Sequence, residues 1–301
     1  LGTITIVKCH YLGRKVFMNK FSSISKPVEN AALRVLSFGA GVQSTVLLLM
    51  AAKGEIKPMP DVAIFADTQF EPASIYKHLE WVEMELDYLT DKAIKIEIVK
   101  QGNIKQDHIN AVNNANDRIA TMPLFLENHG VIWRQCTVDY KIKPIQNKIK
   151  EILRLKKGQR VSKNIVVEQW MGISTDELER VKENNKPFII NRFPLIEMGM
   201  SRGDCYQWFK KHYPNKPLVK SACIACPYHS NSMWKDMKKN DPVSWEEACQ
   251  FDEDLRKGKS FYKLKQNPFV HNSAKPLRTA DLGDDKTPDL FLGECDGMCG
   301  V

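Results

Sequence analysis

Apolar residues in this chain come in short runs separated by stretches with helical spacing. Leu33 to Ser37 is one such run and reads as a strand. It passes into the small-residue loop Phe38-Gly39-Ala40-Gly41-Val42-Gln43-Ser44-Thr45, then into Val46 to Ala52, which reads as a helix stopped by Gly54. Asp61 to Phe65 is a second strand and ends in Ala66-Asp67-Thr68-Gln69. A helix follows from about Pro72 to Leu89, with proline in its first turn. Ile94 to Val99 alternates at period two, a third strand. Ile165 to Gly172 is a fourth, and Asn191 to Ile196 is a short extended piece. Helices are predicted over Val138 to Leu155, over Ser201 to His212 with Ser201 as N-cap, near Trp234, and from about Pro242 to Arg256. Gln101 to Trp133 reads as a long insertion with short helices, placed to act as a lid.

Strands alternating with helices imply βαβ units and an α/β fold with a Rossmann-like parallel sheet, helices on both faces. Residues 1–30 read as an N-terminal arm, 31–230 as the sheet domain, and 231–301 as a helical, loop-rich extension. Ligands on such sheets sit beyond the carboxyl ends of the strands. The glycine loop and Asp67 both fall there. Strand, small-residue loop and helix is also the geometry that cradles phosphate, because free N–H groups at the helix start point toward the anion. A tight turn with no ligand is the plainer alternative.

Composition narrows this picture. The chain has 301 residues and a net charge of +8, which points to an anionic partner such as a nucleotide, a nucleic acid or a sulfate-like group. No apolar run is long enough for a bilayer and the N-terminal stretch lacks an export signal, so the expectation is a cytoplasmic protein with no membrane partner. Eight cysteines in that setting favour metal or catalytic use over disulfides. Cys223-Ile224-Ala225-Cys226 can present two thiolates to one metal centre. Cys136 is the candidate third ligand, with Arg134, Lys141 and Lys143 nearby to favour thiolate. Spacing alone does not separate zinc from an iron–sulfur cluster. Cys205 and Cys249 read as core, Cys9 is unassigned, and His229 reads as a surface residue. His108 and His129 have no evident partner. The basic run Lys141, Lys143, Lys148, Lys150, Arg154, Lys156, Lys157, Arg160 and Lys163 is either a phosphate-tracking surface for RNA or DNA or a solvated helix face. It has few interleaved aromatics, so base stacking is not indicated there.

Taken together, these residues resemble the adenine nucleotide alpha-hydrolase-like (PP-loop) superfamily, specifically the branch of phosphoadenosine phosphosulfate (PAPS) and adenylyl-sulfate reductases. Ser37 to Thr45 resembles the pyrophosphate-binding loop, and Asp67-Thr68-Gln69-Phe70-Glu71-Pro72 the segment after the second strand. Cys136-Thr137-Val138-Asp139-Tyr140-Lys141-Ile142-Lys143-Pro144-Ile145 and Ser221 to Cys226 resemble the two cluster-binding elements. The resemblance implies a 4Fe–4S cluster on Cys136, Cys223 and Cys226. It also implies an adenine nucleotide held by Ser37, Phe38, Gly39, Ala40, Gly41, Gln43, Ser44, Thr45, Asp67, Thr68, Gly172 and Arg180, with Mg2+ if the nucleotide is ATP. The tail Gly293-Glu294-Cys295-Asp296-Gly297-Met298-Cys299 resembles the reductases' mobile tail, making Cys295 a nucleophile and Cys299 its resolving thiol. The pair could instead supply a fourth cluster ligand or be idle.

Three departures shape the expected function. Thr137 stands where the reductases carry a second adjacent cysteine, so the fourth ligand is another cysteine, a substrate or sulfide, or the iron stays open, as in cluster-dependent sulfurtransferases. Ser174 and Thr175 replace a sulfate-binding arginine, with Arg180 at a shifted spacing. Gln43 replaces the aspartate of ATP-cleaving relatives. The expectation is therefore an enzyme of sulfur chemistry. It either reduces a sulfonucleotide with a thiol reductant or performs ATP-dependent sulfur transfer, with RNA or DNA thiolation as one form. A non-catalytic nucleotide- or nucleic-acid-binding module with structural zinc is the other class.

Overall fold

A computed structural model of the chain describes residues 26–113, 122–128, 130–156, 158–257 and 266–283. Its centre is a five-stranded sheet of β1 (Leu33–Phe38), β2 (Val62–Asp67), β3 (Lys95–Lys100), β5 (Val167–Met171) and β6 (Ile189–Arg192), in the order β3-β2-β1-β5-β6. Every pairing is parallel. The short β4 (Phe125–Leu126) and β7 (Pro268–Phe269) form a separate antiparallel pair. The sequence pattern accounts for the order. β2 is buried at every position and β1 at nearly every one, as central parallel strands covered on both faces must be. β3 is half exposed, which suits an edge. The order reverses at β1, between β2 and β5, and that switch point is where such sheets take ligands.

Both faces carry helices. On one, Leu36, Phe38 and Trp170 pack with α1 (Val42–Ala52), α2 (Ala73–Thr90) and α6 (Arg202–His212). On the other, Leu33, Val35, Val62 and Ile64 pack against Ile145 and Ile149 of α4 (Lys143–Ile152). Residues Val42 to Ala51 of α1 are all buried, because α6 covers the side that the sheet does not. β5 carries a carboxylate through the core. Glu168 is fully buried and is matched by Trp170 Nε1 at 2.6 Å and Arg192 Nη1 at 3.3 Å. Burying that charge unpaired would be costly.

The remaining elements are α3 (Ile104–Asn113), the one-turn α5 (Pro194–Glu197), α7 (Asn231–Asn240) and α8 (Pro242–Lys257). A second apolar core joins Phe70, Ile104 and the Cys223–Cys226 loop to Trp234, Trp245 and Phe251 of α7 and α8. The extension is thus the packing partner of the cysteine loop.

The structure shifts several predicted boundaries. α1 begins at Val42, one turn before Val46, so Gln43, Ser44 and Thr45 form its first turn. The predicted helix from Val138 is a π-helical turn, Thr137–Ile142, running into α4, which ends at Ile152. The extended piece near Asn191 is the fifth strand, β6, followed by α5. Among the described residues no helix is long and apolar enough to cross a membrane.

Candidate functional site

The glycine loop leaves β1 between Phe38, which is buried in the core, and α1. Ala40 sits at φ 55°, a left-handed conformation that turns the backbone sharply before the helix. Among the described residues no side chain caps the N-terminus of α1, and its first turn has no acid. The free N–H groups there are consequently not offset by an acid of the helix itself. Gly172, just after β5, lies against this turn. A Cβ at position 172 would stand 2.9 Å from Ser44 N and 3.0 Å from Ser44 Cα, so only glycine permits the approach.

The hydroxyls of the loop point to partners within the protein. Ser44 Oγ donates to Gly41 O at 3.3 Å. Thr45 Oγ1 lies 3.0 Å from Nε2 of the buried His78, whose pKa burial lowers to about 4. Ser37 is buried at the end of β1.

Asp67 and Thr68 close β2 and both are buried. Asp67 Oδ1 accepts from Gln69 N at 2.7 Å and Tyr76 OH at 2.9 Å, and Oδ2 faces Lys100 Nζ at 3.6 Å. Burial and the Asp67 carboxylate together raise the Tyr76 phenol far above its usual range.

A buried polar network stands beside Gly172. Gln43 Nε2 donates to Glu177 Oε2 at 2.9 Å and reaches Ser174 Oγ at 3.5 Å. Arg180 Nη1 donates to Glu177 Oε1, and Ser174 Oγ donates to Asp176 at 2.6 Å. Burial raises the Glu177 carboxyl, and Arg180 opposes the rise. Arg180 is itself only 7% exposed, yet its Nε and Nη2 are buried without a hydrogen-bond partner among the described residues. Two unmet guanidinium N–H groups make a fork for an oxyanion. Gln43 is thus explained locally: an aspartate there would face the Glu177 carboxylate.

Cys136, Cys223 and Cys226 converge on one cavity of about 30 Å³, lined also by Thr68, Arg134, Thr137, Lys141, Ser221 and Tyr228. Cys136 immediately precedes the Thr137–Ile142 turn. Cys223 is held from β2: Ile224 N donates to Phe70 O at 2.8 Å, and Thr68 Oγ1 lies 3.3 Å from Cys223 Sγ. Thr68 also donates to Glu71 Oε1 at 2.9 Å. Burial drives the Cys223 thiol well up, Glu71 adds to the rise, and Lys141 and Thr68 oppose it. Two buried atoms here have no hydrogen-bond partner among the described residues, Glu71 Oε2 and Ser221 Oγ. Among the described residues no group of three or more His, Cys, Asp or Glu side chains is set around a single metal-ion position.

Other predicted residues fall as follows. Cys205 and Cys249 are core, and burial pushes their thiols up to about 12 and about 11. His229 is buried, not on the surface, because its ring packs edge-on to Trp234 at 4.5 Å. His108 has partners after all: Nδ1 lies 2.7 Å from Ile104 O and Nε2 accepts from Met122 N at 3.1 Å. In the basic run, Lys148 pairs with Glu97 and Glu151, and Lys143 with Asp139. Cys9, His129, Lys157, Cys295 and Cys299 lie outside the described residues. Glu71, His78, Glu177 and Ser221 were not singled out in the sequence. Each is a polar residue whose burial comes only from packing.

A scan against protein-family models finds no match, and a search of curated proteins finds none either.

Proposed function

We propose that this chain is an adenine-nucleotide-dependent enzyme of sulfur chemistry of the PAPS reductase-like kind, with a 4Fe–4S cluster on Cys136, Cys223 and Cys226. One observation carries the reading. The three thiols, from distant parts of the sequence, line a cavity that Thr68 lines as well, at the carboxyl end of β2. That end of the sheet is also where the glycine loop and Arg180 offer N–H groups to a phosphate or sulfate. The donor set suits the cluster: three thiols, two cations to offset its charge, and the unmet Ser221 hydroxyl facing a buried space. The cavity is smaller than a cluster, so loading has to spread the Cys136 and Cys223 segments. Zinc fits less well, since it needs three or four ligands at about 2.0–2.3 Å from one point. The cluster would supply an iron able to carry sulfur.

The favoured reaction is ATP-dependent sulfur transfer. ATP adenylates a carbonyl oxygen of the acceptor and releases pyrophosphate; a sulfur nucleophile then displaces AMP and leaves a thiocarbonyl. The α1 N-terminus and Arg180 hold the phosphates, and Gly172 keeps β5 close enough for both to act on one ligand. The basic surface from Arg134 along α4 favours an anionic acceptor, RNA or DNA. The unmet Arg180 fork equally favours a second reading. In it Cys295 attacks the sulfur of a sulfonucleotide, an adenosine phosphate leaves, Cys299 displaces sulfite by forming a disulfide, and a thiol reductant restores both cysteines.

Iron, sulfide and zinc analysis of protein purified without oxygen tests the proposal. Iron and sulfide in equal amounts and a broad brown absorbance are expected, with both lost in Cys136→Ala, Cys223→Ala and Cys226→Ala. Colourless protein carrying zinc would sink the cluster reading.

A further inference from the structure

The segment entering the cysteine cavity runs extended beside β4. Ile132 N donates to Leu124 O at 2.8 Å, and Val131 bridges to Phe125. Side chains of an extended segment alternate between faces. Ile132 accordingly packs into the second core, while Val131 and Trp133 face outward, 47% and 82% exposed. Val138, in the first turn after Cys136, is 46% exposed and adds to the same stretch. A solvent face of this kind is ordinarily polar, and exposed apolar side chains gathered on one make it a candidate interaction site.

The neighbouring side chains identify the partner. Arg134 follows Trp133 directly, lines the cysteine cavity and lies over the Tyr228 ring at 5.5 Å. Lys141 lines the same cavity, and Lys143 opens α4 with half its side chain exposed. The acid in this stretch, Asp139, is paired with Lys143. An exposed aromatic flanked by cations is the arrangement that holds single-stranded nucleic acid, with bases stacked on the ring and phosphates beside the cations. The basic run alone lacks aromatics; the fold brings Trp133 and Tyr228 to its start.

We propose that Trp133 is a stacking platform for a base of single-stranded nucleic acid at the mouth of the cysteine cavity. The inference rests on the sulfur-transfer reading and gives its acceptor class. Trp133 positions the strand; it takes no part in the chemistry. A base stacked there sits beside the segment that carries Cys136.

The test uses the full chain and fluorescein-labelled single-stranded RNA, single-stranded DNA and a duplex of the same sequence, read by anisotropy over a salt series. Wild type should bind single strands more tightly than the duplex, and the RNA and DNA arms decide between the two. Trp133→Ala should weaken single-strand binding about 5- to 100-fold with an unchanged salt slope, because phosphate contacts remain. Trp133→Phe should restore most of the affinity. Equal binding by Trp133→Ala overturns the proposal. So does a wild type that ignores single strands but loses a copurifying protein on the same substitution, which would make the patch a protein interface. Iron content separates the two readings. Iron-loaded protein that binds no strand overturns the platform alone. Strand binding through Trp133 in iron-free protein upholds the platform and overturns the cluster.

Discussion

The two ends of the candidate site leave different kinds of polar group unmet. At the sheet end, nearly every buried polar group already has a partner within the fold: Thr45 with His78, Asp67 with Tyr76, Gln43 with Glu177, Ser174 with Asp176. The Arg180 fork is the exception. At the cysteine end the unmet atoms are a hydroxyl and a carboxylate oxygen instead of guanidinium N–H groups. Ser221 Oγ and Glu71 Oε2 are buried without hydrogen-bond partners among the described residues, and the Cys223 thiol is raised by burial. A fold keeps an unmet buried polar atom at a cost of about 1–3 kcal/mol unless something outside the chain meets it. The sheet end therefore reads as a finished cradle with one open fork, and the cysteine end as a vessel with unmet polar groups at its wall.

The sharpest way to break this contrast is at Arg180. Arg180→Met should destabilise the protein by about 3–5 kcal/mol at neutral pH in urea titration, because Glu177 loses its counter-charge in a buried site. Glu177→Gln with Arg180→Met should recover most of that stability and none of the nucleotide affinity. If affinity returns too, the fork is only a buried ion pair.

A smaller effect comes from His78. Its folded pKa, about 4, lies below the ordinary 6.5, so the unfolded chain takes up the proton first. Its contribution is intact above about pH 6.5 and is lost as pH falls toward 4, on the order of 2–3 kcal/mol. Denaturation of wild type and His78→Gln at pH 7 and pH 5 checks this, and the variant should lose less between the two. An equal loss would show that His78 is not held neutral behind the glycine loop.

The smallest effect tests the vessel. Ser221→Ala in metal-free protein should be neutral or stabilising by up to about 1 kcal/mol, since it removes an unmet hydroxyl, whereas Ser174→Ala should cost about that much. If the two substitutions behave alike in calorimetry, the ends do not differ as described.

The strands, the glycine loop and the N-cap at Ser201 were legible because they follow local pattern: burial on both faces, small residues, a capping serine. Their parallel direction followed from alternation with helices, whereas the order β3-β2-β1-β5-β6 came from the fold. The site was legible in its cysteines and glycines, residue types whose chemistry is specific at short range. The carboxylates were not. Glu71 and Glu177 belong to a residue type that is rarely buried, and only the close approach of Gly172 and the cysteine loop enclosed them. His229 failed as a surface residue for the same reason, since the helix after it folds Trp234 back onto its ring.

The Thr68 hydroxyl has a consequence of its own. It carries a single hydrogen and stands between Glu71 and Cys223, one residue from Asp67. A hydroxyl can donate to one of these acceptors at a time. Whatever changes the hydrogen-bonding demand of Cys223 therefore changes where that hydrogen points, at the end of the strand where the nucleotide is proposed to bind. Thermodynamic reciprocity then ties the two ends together: any factor by which filling the cysteine end alters nucleotide affinity is the factor by which the nucleotide alters the filling.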